Sequence, residues 1–368
     1  MGKKILLATN VGLNGRSHSK DLIFALLNQN YVVHLSYPGE ENYFKSFGAV
    51  IHNIKINRHS KNIISEIFTV LKYLRLCLEV NPTLVLTYTI KPNIYLSIIG
   101  RILNIPVISN ITGLGSVFNS PETIVTKLIK KLYRKSVEKN RCIFFQNYNN
   151  FDVFTSENSE AILKRACLIP GSGVNLSEFN FIEYPKSDSP LIFLFIGRLT
   201  RDKGILELLE SFNVLSESYD NILLKIVGKL DEIIIPRYLL NNENVIFYGQ
   251  QANVLPFLET SHVLVNPSYH EGMANVLLEA ASCGRPVLAS NIPGCQETFD
   301  EGISGLGFEP HSVDSLVNVM KRFIALSYEQ KVYMGIAGRN KMEREFNRKV
   351  VVDAYIRKIE SIIEENDN

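Results

Sequence analysis

The chain has 368 residues, 46% hydrophobic and 21% charged, with no low-complexity run; this excludes a disordered protein and leaves room for two domains that each bury a core. Its formal net charge of +2 excludes global basicity as a basis for nucleic-acid binding, so any anionic partner is met by a local cluster. Five scattered cysteines, Cys77, Cys142, Cys167, Cys283 and Cys295, form no CxxC pair and no metal-ligand spacing, which fits reduced thiols in a cytoplasmic protein.

From the amino end, Ile5 to Ala8 turns polar at Thr9 and Asn10, too early for a signal peptide, and reads as a first β-strand. Lys91, Asn93, Arg101 and Asn104 interrupt the most hydrophobic stretch, so no run of about 18 apolar residues exists and no membrane span is expected. Strand-like runs at 4–9, 32–36, 84–87, 107–109 and 142–145 alternate with helical patterns, which predicts a parallel sheet. An aperiodic polar stretch at 181–190 marks a boundary between a first domain, 1–185, and a second, 190–345. Strands then recur at 191–196, 223–227, 245–248, 263–265 and 286–289, giving a second doubly wound α/β domain. The closing helix, 349–364, has no strand after it and is expected to cross back and pack on the first domain. Two Rossmann-like domains are expected to face a central cleft lined by the carboxyl ends of their strands, where ligands of open sheets bind.

Two constellations follow strands of the second domain. Gly197-Arg198-Leu199-Thr200-Arg201-Asp202-Lys203-Gly204 places cations at a strand-to-helix turn that suits a diphosphate. Arg198 chelates phosphate oxygens bidentately while Lys203 acts as a point charge, and both stabilise charge on a departing nucleotide diphosphate. Taken alone, the spacing more often describes two solvated cations, since such spacings are common on surfaces. The second constellation runs from Asn266 through His270, Glu271 and Gly272 to Glu279. Gly272 allows close backbone approach, and the N–H groups of the next turn form an anion site. Glu271 precedes the helix and Glu279 lies about two turns along it, so the pair is placed to grip separate hydroxyl-bearing parts of one ligand. A core-facing acid with a local partner is the alternative for Glu279, uncomfortable amid Leu277, Leu278, Ala280 and Ala281.

Gly284-Arg285-Pro286-Val287 and Pro293-Gly294-Cys295-Gln296-Glu297 complete the series. With these elements in order, the whole chain resembles a family four glycosyltransferase of the GT-B fold. The likeness is greatest to bacterial enzymes that build O-antigen, capsule or glycan repeat units on polyprenyl diphosphate. The resemblance implies that Arg198 and Lys203 hold the donor diphosphate, Glu271 the transferred sugar's hydroxyls and Glu279 the ribose. Gly197 belongs to the same donor side, and the amides of Gly272, Met273, Ala274, Asn275 and Val276 touch sugar and phosphate. Gln296 departs from the arginine often found in this element.

In the first domain Asn10 to His18 carries Gly12 and Gly15 but no GxGxxG, so a nicotinamide fingerprint is absent. Relatives often have Ser-His-Arg here; Ser17-His18 matches and Ser19 replaces the arginine, so Gly15 is placed near the donor phosphates. His18 is either an active-site group or a structural residue at a helix start. Thr87 to Tyr95 and Asn110 to Phe118 resemble acceptor-side motifs, which implies Lys91 at the acceptor diphosphate and Thr112, Gly113 and Gly115 at the reaction centre. A plain turn is the alternative for that loop.

Residues 126–141 carry seven cations and one acid, with Leu128, Leu132 and Val137 near helical spacing. Lys127, Lys130, Lys131, Arg134 and Lys135 are expected at an anionic membrane surface, where each cation adds about 1 kcal/mol; an ordinary solvated helix face is the alternative. No aromatic interleaving or binding module accompanies them, so nucleic acid is not an expected partner. No Asp-x-Asp occurs and no histidine spacing suits a metal, so neither metal nor cofactor is expected and the nucleotide-sugar is a substrate. The resemblance implies retention of configuration by front-side attack, the leaving phosphate taking the acceptor's proton, with no enzyme nucleophile. The expected reaction moves a hexose or N-acetylhexosamine from a UDP-sugar to a polyprenyl-diphosphate-linked saccharide, on the inner face of the cytoplasmic membrane. The rivals are a sugar-nucleotide epimerase on the same architecture, which needs no acceptor, and a non-catalytic carbohydrate- or nucleotide-binding protein.

Overall fold

A computed structural model describes residues 2–15, 17–39, 42–56, 63–113, 118, 123–156, 160–186, 190–231 and 233–367. The chain divides into two compact units, Met1–Ser172 with Lys349–Asn368, and Gly173–Arg348.

In the first unit seven strands run parallel in the order β3-β2-β1-β4-β5-β6-β7. They are β1 (Lys4–Ala8), β2 (Val32–Tyr37), β3 (Val50–Asn53), β4 (Leu84–Tyr88), β5 (Val107–Ile111), β6 (Cys142–Phe145) and β7 (Ala166–Leu168). Strands β1, β5 and β6 are almost wholly buried, so they read as continuous apolar runs. The two edge strands, β3 and β7, are short and part-exposed, and the sequence gives them no such run. The helices are α1 (Lys20–Asn28), α2 (Ile63–Val80), α3 (Ile90–Leu103), α4 (Ile124–Val137), α5 (Tyr148–Thr155) and α6 (Glu160–Leu163).

In the second unit six parallel strands take the order β10-β9-β8-β11-β12-β13. They are β8 (Leu191–Ile196), β9 (Ile222–Val227), β10 (Val245–Gly249), β11 (Val263–Asn266), β12 (Val287–Ser290) and β13 (Gly305–Phe308). The last of these was not expected, because two glycines in four residues read as a turn. Helices α7 (Ile205–Ser216), α8 (Leu255–Glu259), α9 (Asn275–Ser282), α10 (Val313–Ala325) and α11 (Tyr328–Glu345) belong to this unit. The closing helix α12 (Arg348–Asp367) sends Val351, Tyr355, Ile359 and Ile362 into the first unit's core beside Leu22 and Ile23 of α1.

The division falls at Ser172/Gly173 and not within 181–190. Phe179 and Ile182 pack on the second unit's apolar cluster, and Val174 bridges Asn347, so this apparent linker is part of that unit. Each sheet has a switch point where strand order reverses, between β1 and β4 and between β8 and β11. Loops leaving the carboxyl ends there flank a crevice suited to ligands.

Candidate functional site

The β8 and β11 loops, which carry the two sequence constellations of the second unit, meet at its switch point. A 3-10 turn (Arg201–Lys203) ends at Gly204, whose φ of 65° opens α7. A Cβ on Gly204 would lie 2.1 Å from the Pro267 carbonyl oxygen, so only glycine lets the loops approach this closely. Tyr269 N–H donates to the Asp202 carbonyl at 2.8 Å, and Tyr269 Oη donates to Glu207 Oε1 at 2.5 Å. Burial and then the Glu207 carboxylate push the Tyr269 phenol above its ordinary range. With the loops fixed in this way, Lys203 Nζ meets Glu271 Oε1 at 2.6 Å, the two side chains being 21% and 14% exposed.

The other residues expected on the donor side have partners of their own. Arg198, largely exposed, bonds Asp231 Oδ2 at 3.1 Å. The 293–297 loop packs on the 271–274 backbone: Gly294 has φ 85°, and a Cβ there would lie 2.8 Å from the Gly272 carbonyl oxygen. Its own carbonyl accepts from Ala274 N–H at 2.8 Å, while Asn275 N–H donates to the Met273 carbonyl at 2.9 Å. Of the amides read as an anion site, those of Ala274 and Asn275 are therefore spent within the chain. Met273 and Ala274 are buried, and Gly272 and Val276 are part-exposed. Glu279 faces its surroundings at a cost: burial pushes its carboxyl up to about 7, against the pull of Arg348, with Glu178 adding to the rise. Gly197 joins β8 to β9 through its N–H to the Val227 carbonyl at 3.0 Å.

Sequence reasoning missed the roles of Tyr269, Glu207 and Arg285. Arg285 is fully buried and donates to the carbonyls of Leu258 at 2.7 Å, Ile182 at 3.0 Å, Glu183 at 2.8 Å and Glu259 at 3.2 Å. It clamps segment 182–183 onto the unit, so the arginine of Gly-Arg-Pro is a frame element. The available signal was a cation set before an apolar strand with no acid beside it.

In the first unit, His18 is exposed in the turn before α1. Gly15 lies under Tyr43, whose ring would stand 2.9 Å from a Cβ there. Lys91 is paired: its Nζ meets Glu66 Oε1 at 2.6 Å, and Tyr95 Oη donates to the same carboxylate. Thr112 and Gly113 are part-exposed just past β5, whereas Gly115 lies outside the described residues. Thr89, at the β4 end, has φ 70°, a region that β-branched residues rarely occupy. Two asparagines of the acceptor-like motifs are buried scaffold: Asn93 Nδ2 donates to the Asn110 carbonyl at 2.9 Å and to Tyr133 Oη at 2.7 Å, and Asn110 accepts from Tyr355 Oη.

The basic helix α4 divides its cations. Lys127, Lys131 and Lys135 are exposed, Lys135 standing 3.3 Å from Glu138. Arg134 differs from expectation: it is half-buried, donates to the Val153 and Phe154 carbonyls at 2.9 and 3.0 Å, and lies over Phe118, as Lys130 does. Val137 and Tyr133 enter the core, while Leu128 and Leu132 stay in solvent.

Two family models match. Residues 4–147 match the model described as glycosyl transferase 4-like, and residues 177–341 the one described as glycosyl transferases group 1. The chain is 27% identical over 162 residues to the capsular polysaccharide biosynthesis glycosyltransferase CapM of Staphylococcus aureus, a match covering 43% of this chain and 42% of that one. It is 24% identical over 270 residues to the N,N'-diacetylbacillosaminyl-diphospho-undecaprenol alpha-1,3-N-acetylgalactosaminyltransferase of Campylobacter jejuni, covering 69% and 70%. Among solved structures, Anabaena HepE in complex with UDP and glucose superposes with TM-score 0.79 at 14% identity, over 98% of this chain and 100% of that one.

Proposed function

We propose that this chain, which belongs to the group 1, family four-like glycosyltransferases of the GT-B fold, moves a hexose or N-acetylhexosamine from a UDP-sugar to a polyprenyl-diphosphate-linked saccharide. The transfer retains configuration, needs no metal, and serves surface-polysaccharide assembly at the cytoplasmic membrane. The observation that carries the reading is the Lys203–Glu271 pair at 2.6 Å, which joins a phosphate-seeking cation to a hydroxyl-gripping carboxylate at the β8/β11 switch point.

A donor exchanges partners there. Its diphosphate draws Lys203 from Glu271 and Arg198 from Asp231, and the freed Glu271 accepts hydrogen bonds from the sugar's hydroxyls. Ribose hydroxyls donate to Glu279, whose carboxyl burial pushes up to about 7. As the C1–O bond to phosphate breaks, the acceptor oxygen bonds C1 from the same face, and its proton passes to the departing phosphate oxygen. Arg198 and Lys203 carry the developing negative charge, the task a metal would otherwise perform. The Campylobacter jejuni relative, named for a diphospho-undecaprenol acceptor, and the UDP bound to HepE support the acceptor and donor classes. The exposed apolar and cationic face of α4 supports a peripheral place on an anionic membrane.

The test is incubation with a panel of sugar nucleotides and a short polyprenyl-diphosphate sugar, followed by mass spectrometry and proton NMR of fresh product. The reading expects a lipid-linked product with the donor's anomeric configuration. Transfer only to water or soluble sugars would remove the acceptor assignment, an inverted anomer would remove the mechanism, and turnover of donor without acceptor would favour an epimerase.

A further inference from the structure

Helices α2, α3 and α4 pack side by side in the first unit. Glu66 bonds Lys91 and Tyr95, joining the amino ends of α2 and α3, and Arg101 donates to the Lys135 and Ser136 carbonyls, joining the carboxyl ends of α3 and α4. The three therefore run parallel, with their amino ends at the carboxyl edge of the sheet, where Lys91, Thr112 and Gly113 lie.

Helix α2 is apolar on both faces. Tyr73, Leu76, Cys77 and Val80 fill the core, yet Ile64, Ile67, Phe68 and Leu71, at i, i+3, i+4 and i+7, are each more than half exposed, Phe68 at 60%. A second exposed ridge, Ile124, Val125, Leu128 and Leu132, begins α4, with Leu128 at 65%. Both ridges start in the first turns of their helices, so both rise at the same edge. The three helices carry nine Lys and Arg and only two acids, Glu66 and Glu79, each of which is ion-paired.

An apolar surface set among cations of one sign fits an anionic bilayer. A second copy docked here by a two-fold axis would bring Lys127, Lys131 and Lys135 against their own kind, or close to it, and is disfavoured. We infer that α2 is a second membrane-inserting element beside α4, its Ile64–Leu71 ridge entering the acyl region while the exposed Lys72 of α2 and Lys127, Lys131 and Lys135 of α4 engage anionic headgroups. This rests on the peripheral-membrane reading of α4 and extends it. It sets the carboxyl edge of the first sheet at headgroup depth, where the diphosphate of a lipid-linked acceptor resides.

The chain has no tryptophan, so an inserted indole is a unique reporter. Phe68→Trp and Leu128→Trp, with Val214→Trp on α7 of the second unit as a control, are mixed with vesicles rich in phosphatidylglycerol or made of phosphatidylcholine alone. The inference expects blue shift, and quenching by brominated acyl chains, at positions 68 and 128 with anionic vesicles, and neither at 214. It also expects the combined Ile64→Ser, Phe68→Ser and Leu71→Ser variant to partition about tenfold more weakly with unchanged UDP affinity and melting temperature. A response at 128 without one at 68 overturns the inference and leaves the α4 reading standing. Silence at both, alongside transfer to a lipid-linked acceptor, overturns both membrane elements while the reaction survives. A shift at 68 that follows protein concentration without vesicles makes the ridge a self-association face and equally overturns it.

Discussion

Glu271→Gln keeps the shape of the side chain and removes its charge, and the partner exchange described above then predicts two effects of opposite sign. Glu271 occupies Lys203 through a 2.6 Å contact between side chains 21% and 14% exposed, shielded enough for the pair to matter. A hydrogen bond between charged groups contributes about 1.5–3 kcal/mol net, and a neutral acceptor about half of that. The substitution therefore relieves about 1 kcal/mol of competition for Lys203, and UDP binds about fivefold more tightly. Transfer moves the other way. A neutral amide grips the sugar hydroxyls about half as well as charge redistributes, and a loss of about 0.75–1.5 kcal/mol in the transition state lowers kcat roughly four- to tenfold.

Calorimetric titration with UDP and initial-rate measurements read the two effects separately. In a Lys203→Ala background the gain in UDP affinity vanishes, since no ammonium is left to release. Weaker UDP binding by Glu271→Gln in the otherwise intact chain would refute the exchange. A gain that persists without Lys203 would refute it too.

Lys203→Ala alone lowers turnover by about 2–4 kcal/mol of transition-state stabilisation, and unchanged initial rates would take Lys203 out of the mechanism. Glu279→Gln stabilises the ligand-free protein by about 1–3 kcal/mol near pH 8 and not near pH 4.5. The folded carboxyl, raised to about 7, holds its proton more tightly than the unfolded one, so its contribution falls as pH rises through that window; equal melting temperatures for the two proteins near pH 8 would contradict this. His34 and His262 are both buried, which pushes each down to about 4. Unfolded histidines protonate near 6.5, so stability that is complete above that pH is lost toward pH 4, by up to about 3 kcal/mol per ring, and a flat melting profile across this range would refute it. Arg285→Ala strands four carbonyl oxygens and costs about 3–5 kcal/mol, with Arg285→Lys recovering only part; thermal unfolding of Arg285→Ala close to that of the unaltered chain would refute the clamp.

The loops that follow β8 and β11 were legible as strand-end loops because their information is local. Glycines and charges placed just past apolar runs mark the ends of parallel strands, and β6 and β8 fell on the expected residues. Partnerships were not legible. The Glu66 that holds Lys91 lies 25 residues away, and the carbonyls that hold Arg285 come from two segments, the farther about a hundred residues removed. Edge strands β3 and β7 escaped because a half-exposed, three- or four-residue strand has no apolar run to display. The outward ridge of α2 escaped for the opposite reason: a helix apolar on both faces reads from sequence as a buried one.

The segments that resemble acceptor-side motifs contain two kinds of residue. Asn93 and Asn110 are wholly buried: the Asn93 amide donates to the Asn110 carbonyl and to Tyr133, while the Asn110 amide donates to the Thr87 carbonyl and accepts from the α12 residue Tyr355, so together they tie α3, β4, β5, α4 and α12 to one another. Lys91, Thr112 and Gly113 stand at the sheet edge with part of their surface open. The donor side divides in the same way. Gly204, Gly294 and Arg285 permit or enforce loop approach, whereas Lys203 and Arg198 are ion-paired with Glu271 and Asp231, and Glu279 is a carboxyl raised by burial. Charge held against its solvation preference is the part of such a motif that stability alone does not explain. Glu279 is the clearest instance, for burial raises its carboxyl to about 7, and ionising it there costs free energy that hydroxyl donors would offset.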